Sequence, residues 1–300
     1  MLELFHAAPS YFSMVARLAL AEAGIPFTPR LIDIHLAKQQ LSDPYRALNP
    51  HMTVPTLRGP DLLLTDSSEI LSFAACRAGD SWCDADAAQT PAIRAAVQGH
   101  YAISIETLTF SKLLTSRPLL KPLVTRLLSG LSRQLDQRAA HTAVDPEALR
   151  AKAQQDRERL QTFTATPAAE TLAAQRAQVQ AYLHGLPAGQ DGPWLFGSRI
   201  SSADVVLAVL LARLSMAGEL ALLERADLQR WWQRYQGRPA VQAADLWTRF
   251  QRRRFVAALL QARRTPIVSS AARRGSPSPP TPPPAPCRHG AGVARRSRPH

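Results

Sequence analysis

Short apolar runs and helical periods alternate over the first eighty residues. Leu2-Glu3-Leu4-Phe5 reads as a strand, which Ala7 to Ser10, with Pro9 among them, break. Val15, Leu18, Ala19 and Ala23 then recur at helical spacing over residues 14–23, closed by Gly24 and Pro26. Residues 27–34 predict a second strand and 37–48 a short helix. Thr56-Leu57-Arg58 and Leu62-Leu63-Leu64 flank Gly59-Pro60-Asp61, the pattern of a hairpin. Residues 66–78, with Ile70, Leu71, Phe73 and Ala74 apolar, predict a third helix. The order is strand, helix, strand, helix, hairpin, helix.

From Pro91 onward the pattern is helical almost throughout. Residues 119–135 place leucine at 119, 120, 123, 127, 128, 131 and 135, a wide apolar stripe. Such a stripe is too apolar to be left in water. Pro118, Pro122 and Gly130 weaken a free-standing helix at a membrane surface, so packing on protein is expected here. Residues 145–185 predict a long polar helix with a break at Thr166-Pro167. Ser201-x-x-Asp204 ahead of Val205-Val206-Leu207 is a capping box with Asp in the Glu position. Residues 228–236 and 240–260 finish the helical part, and Trp231, Trp232, Tyr235 and Trp247 are read as its core.

Composition changes the picture in one place. The chain has 300 residues, 46% of them apolar, and a formal net charge of +13. Eleven arginines and no acid fall in residues 251–300, which leaves 25 basic against 23 acidic residues before them. The high charge therefore belongs to a tail, and no fold for specific nucleic-acid recognition accompanies it. Nine prolines after Arg263, with no aromatic residue, predict a disordered Arg/Pro-rich segment over residues 263–300. Three cysteines make no disulfide framework and eight histidines make no pair at metal-ligand spacing, so no metal is expected. No apolar run reaches the roughly 18 residues of a membrane span. The start, MLELFHAAPS, has no basic leader or apolar core of a signal, and a cytoplasmic protein is expected.

Candidate chemistry gathers at loop ends of the first eighty residues. Ser10 stands between the first strand and the first helix, where a hydroxyl caps the helix or meets a ligand; the sequence leaves both open. In Asn49-Pro50-His51-Met52-Thr53-Val54-Pro55, a cis Val54–Pro55 bond would turn the Val54 backbone outward, free to pair with an extended peptide. Asp66-Ser67-Ser68 opens the third helix with an acid and hydroxyls, suited to an amino group and a carboxylate, and equally to a plain cap. Tyr101, Ile105 and Leu108 are candidates for an apolar pocket or for packing.

These residues carry a resemblance to the glutathione S-transferases. The carriers are Ser10 ahead of Arg17-Leu18-Ala19-Leu20-Ala21-Glu22, then Val54-Pro55-Thr56-Leu57, Asp66-Ser67-Ser68-Glu69-Ile70-Leu71, and Trp194-Leu195-Phe196-Gly197 leading into Ser201. The resemblance implies an α/β thioredoxin-like domain over residues 1–80 and an all-α substrate-binding domain over 88–258, with a lengthened helical connection. It implies glutathione as co-substrate, Ser10 activating its thiol, Val54 pairing with its backbone, and Asp66 and Ser67 holding its γ-glutamyl end. His51 and Lys38 are candidates for its glycine carboxylate, or simply surface charge. Ser13-Met14-Val15-Ala16-Arg17 and residues 209–216 resemble the tetrachlorohydroquinone reductive dehalogenases within the zeta-like branch. Those proteins carry cysteine where Ser10-Tyr11-Phe12-Ser13 has Phe12, so a protein thiol for dehalogenation is missing. The expected activity is transfer of glutathione to an apolar electrophile; the alternative is a glutathione-binding or scaffold protein without turnover. A homodimer is compatible with the resemblance.

Overall fold

The computed structural model describes residues 1–142, 145–187, 192–264 and 267; the predicted tail, Ile267 apart, lies outside the described residues from 265 onward. The N-terminal part runs β1 (Leu2–His6), α1 (Tyr11–Glu22), β2 (Phe27–Leu31), α2 (Asp43–Arg46), β3 (Thr56–Arg58), β4 (Leu63–Leu64) and α3 (Ser67–Ala78). Its sheet has the order β2-β1-β3-β4. Leu4 of β1 stands beside Pro29 in the parallel pair and beside Leu57 in the antiparallel one, and Leu57 faces Leu64 across the hairpin. Side chains alternate between faces. Leu4 and Leu57 therefore meet Ala16, Leu20 and Ile70 of α1 and α3 on one face, while Phe5 meets Ile32 and Tyr45 on the other.

Two local predictions ran too long. The second strand stops at Leu31 rather than at 34. Past it the Asp33 carboxylate accepts the backbone N–H groups of His35, Leu36 and Ala37 and turns the chain out of the sheet. The helix expected over 37–48 is instead a single 3-10 turn, Gln39–Leu41, followed by α2. Pro44, which fits only a first helical turn, forces a new start there.

The rest is helical: α4 (Thr90–Ala102), α5 (Ile105–Ser116), α6 (Lys121–His141), α7 (Pro146–Ala165), α8 (Ala168–Gly185), α9 (Ser202–Ala217), α10 (Ala226–Gln236), α11 (Pro239–Ala243) and α12 (Arg252–Arg264). The chain is thus a thioredoxin-like α/β unit followed by an all-α unit. Thr166-Pro167 breaks α7 from α8 as its proline requires. A helix apolar on all sides must be covered on all sides, and α9 is: every residue from Ser202 to Ala212 is buried. It packs on α1, α3, α4 and α10 and so joins the two halves. Its capping box forms with Ser201 and Asp204, and Trp231, Trp232, Tyr235 and Trp247 are buried in the same core.

Residues 240–260 do not form one helix. α11 ends at Ala243, Asp245 takes a left-handed conformation (φ 51°), and α12 begins only at Arg252. α11 closes locally, the Leu246 N–H reaching back to the Val241 carbonyl (3.3 Å) across the left-handed Asp245. Arg17 takes the carbonyls of Ala244 (2.7 Å) and Asp245 (3.1 Å) that a continuing helix would have used itself.

The leucine stripe divides. Its C-terminal half packs as expected, Leu131 and Leu135 meeting Leu149 and Ala153 of α7 together with Leu41 and Met52 of the N-terminal unit. Its N-terminal half does not: Leu119, Leu123 and Leu127 are 92%, 54% and 64% exposed. Leu119 lies in the turn before α6, and Leu123 and Leu127 in its first two turns, which α7 leaves uncovered.

Candidate functional site

The loop from β1 to α1 is held at every carbonyl. Arg17 donates to the carbonyls of Ala7 (3.4 Å) and Ala8 (3.1 Å), and Arg213 of α9 donates to that of Pro9 (2.7 Å). Ser13 lies inward, accepting the Ala7 N–H at 3.2 Å. Arg17 also meets Nδ1 of buried His6 at 3.1 Å. Burial first, and the Arg17 charge second, hold His6 well below its ordinary range, so it stays neutral beside the cation. Burial brings Arg17 itself down to about 10. The two arginines entered the sequence reading only as markers of resemblance; their use as anchors needed the third dimension.

Ser10 follows this pinned loop as the N-cap of α1. Its Oγ accepts the Ser13 N–H at 3.4 Å, a long and weak cap bond, and its own O–H has no acceptor among the described residues. Capping and ligand binding are therefore compatible: one lone pair serves the helix while the proton is unspent. Tyr11 points elsewhere. Its ring stacks on His100 with Arg213 over the other side, its hydroxyl pairs with His100 Nε2 at 3.3 Å, and burial keeps the phenol protonated. Phe12 is 40% exposed and lies nearly parallel to Tyr101 of α4, centroids 6.1 Å apart.

The next loop shows Val54–Pro55 in the cis form. Neither the N–H nor the C=O of Val54 has a partner among the described residues. Asn49 and Tyr45, not singled out from the sequence, organise this loop. The Asn49 amide reaches the Thr53 carbonyl, Thr56 Oγ1 (both 3.0 Å) and the Thr65 carbonyl (3.3 Å), tying the loop to the residue just before Asp66. The Tyr45 hydroxyl donates to the Thr53 carbonyl at 2.6 Å. An Asn preceding Pro50 was the available signal.

Asp66 caps α3 and is exposed. Its Oδ1 accepts from the Ser68 N–H and hydroxyl, while Glu69 closes the box on the Asp66 N–H. Ser67 is buried, and its hydroxyl meets that of Tyr101 at 3.1 Å. The Ser67 hydroxyl thus also contacts α4, a single bond that leaves part of its hydrogen-bonding capacity open. Tyr101 links Phe12 on α1 to Ser67 on α3. Ile105 and Leu108, grouped with Tyr101 as pocket candidates, are instead in the core. His51 is exposed, with its imidazole unpartnered among the described residues and its N–H on Asn49 Oδ1. Lys38 is turned to the Ile34 carbonyl and towards Asp156 of α7. α12 closes the far side of the first loop. Phe255 meets His35 edge-on, and an apolar cleft between them is lined by Ala7, Ala8, Pro9 and Leu259. Among the described residues no three His, Cys, Asp or Glu side chains cluster for a metal, and no helix is long and apolar enough to cross a membrane.

Comparison with known proteins agrees with this arrangement. Residues 4–82 match the family model of the glutathione S-transferase N-terminal domain, and residues 143–239 match that of the C-terminal domain. The chain is 29% identical over 244 residues, 80% of its length and 94% of the relative's, to a tetrachloro-p-hydroquinone reductive dehalogenase of Sphingobium chlorophenolicum. In fold it is similar to human glutathione S-transferase T1-1 (24% identity, TM-score 0.51, 89% of this chain and 93% of that one). It is also similar to a glutathione S-transferase-I bound with lactoylglutathione (18% identity, TM-score 0.53, 81% and 98%).

Proposed function

Because this chain belongs to the glutathione S-transferase family, we propose that it binds glutathione on residues 1–80 and activates the thiol through Ser10, transferring glutathione to an apolar electrophile seated against the helical unit, 88–258. The observation that carries this reading is the Ser10 hydroxyl, its proton uncommitted, at the N-terminus of a helix whose entry loop two arginines hold in place.

The residues present fit glutathione. Val54 offers an N–H and a C=O, unpaired among the described residues, to an extended peptide backbone. Asp66 keeps an oxygen free of the cap for an amino group, and the Ser67 N–H, which the cap leaves open among the described residues, is available to a carboxylate. His51 stands free beside this loop for the glycine end. When bound, glutathione supplies the sulfur nucleophile. Ser10 donates a hydrogen bond to that sulfur, and the positive end of α1 favours its anion, so both lower the thiol pKa. The exposed Phe12 ring beside Tyr101 supports an apolar acceptor. Since Phe12 offers no thiol for attack on a glutathione conjugate, the proposal is transfer rather than reduction, although the dehalogenase is among the relatives. A homodimer and a cytoplasmic location belong to the same reading and rest on the family alone.

Retention on immobilised glutathione, followed by a panel of electrophiles, tests the proposal. Retention with turnover supports it, retention without turnover favours a glutathione-binding scaffold, and no retention rejects both. Asp66→Asn sharpens the test: Asn caps a helix as well as Asp does, so stability is expected to hold. The charge is lost, and glutathione KM is expected to rise by about tenfold, the worth of a charge-assisted hydrogen bond of ~1.5–3 kcal/mol less what the neutral amide retains.

A further inference from the structure

We propose that the start of α6 and the turn before it form a docking surface for an anionic lipid bilayer. Leu119, Leu123 and Leu127 project from this corner, the most exposed run of large apolar side chains in the helical unit. Arg117, Lys121, Arg126 and Arg133 lie along the same stretch of chain, all exposed and none with a salt-bridge partner among the described residues. Between Glu106 and Asp136 the chain has no acidic residue at all. An apolar ridge set among unpaired cations is the composition that interfacial helices present to anionic headgroups and the acyl boundary beneath them.

The sequence objection to a membrane surface was that Pro118, Pro122 and Gly130 weaken a free-standing helix. α6 is not free-standing. It runs unbroken from Lys121 to His141 and packs on α7, so the ridge is prebuilt and no folding is required on docking. The proline pair falls in the turn and the first helical positions, where proline is tolerated. Charge decides between the remaining occupants. A two-fold contact with a second copy would set this cationic patch against itself, whereas an anionic bilayer complements it.

The experiment uses the full chain with phosphatidylcholine vesicles, with and without phosphatidylserine, read by co-sedimentation at low and high salt. The arginine tail attracts anionic vesicles on its own, so the deciding variant leaves every charge in place. Leu119→Ser, Leu123→Ser and Leu127→Ser together are expected to weaken binding to phosphatidylserine vesicles by about tenfold or more. Arg117→Gln, Lys121→Gln and Arg126→Gln together are expected to do the same and to reduce the salt dependence. Circular dichroism of both variants should match the parent, since the altered side chains face solvent. Binding that is absent, or unchanged by the leucine variant, overturns the proposal. So does concentration-dependent self-association of the parent that the leucine variant abolishes, which would assign the ridge to a second copy.

Discussion

Ser10→Ala is expected to lower the rate of conjugation of an activated aryl halide by about 10²-fold or more, the usual cost of removing one preorganised donor from a developing anion. Glutathione binding should change little, because Val54, Asp66 and the α3 terminus are untouched. The pKa of the bound thiol, followed by its ultraviolet absorbance, should rise. The cap complicates Ser10→Ala, since N-cap serine to alanine costs about 0.5–2 kcal/mol of stability while glycine costs only a few tenths. Ser10→Gly separates the two roles: it should be nearly as stable as the parent and as inactive as the alanine variant. Activity within about twofold of the parent in Ser10→Gly would remove Ser10 from the mechanism.

The second large effect is on folding. Asp204 is fully buried and accepts from the N–H of Leu195 (2.9 Å), the N–H and hydroxyl of Ser201 (2.9 and 2.6 Å) and the indole of Trp231 (2.9 Å). Asp204→Ala leaves these donors unpaired where water does not reach, and a loss of about 3–5 kcal/mol is expected, below the sum of single-bond penalties of ~1–3 kcal/mol because the site relaxes. Denaturant midpoints measure it. Burial also lifts the Asp204 carboxyl from 3.8 to about 6. Between those values the folded chain holds a proton that the unfolded chain has released, so this group's contribution to stability falls as pH rises through the window and is level above it. His100, held down to about 3 by burial, acts with the opposite sign. The pH slope of the parent minus that of Asp204→Asn is therefore the quantity to read.

What the sequence made legible was local. The hairpin, the caps at Ser10, Asp66 and Ser201, and the break at Thr166-Pro167 each rest on residues within a few positions of one another, and each is in place. What it hid depends on partners far along the chain. Residues 240–260 have a helical pattern, and the reach of Arg17 to the Ala244 carbonyl, 227 positions away, leaves no trace in it. That the Ser67 hydroxyl also meets Tyr101 of α4 depends on a residue 34 positions away. Likewise, a periodic stripe on α6 does not say how much of it α7 is wide enough to cover. Asn49, which binds two loops of the site together, reads in sequence as an ordinary turn residue.

The Arg17 tether has a consequence for how the protein is made. The loop that presents Ser10 is synthesised well before two of the carbonyls that fix its anchoring guanidinium, those of Ala244 and Asp245 near the end of the helical part. The sheet can close early, from neighbours within the first seventy residues. The guanidinium, by contrast, gains its last two carbonyls only once residues 244 and 245 have been made. A nascent or truncated chain ending before residue 244 would carry Ser10 on a loop whose geometry is not yet set.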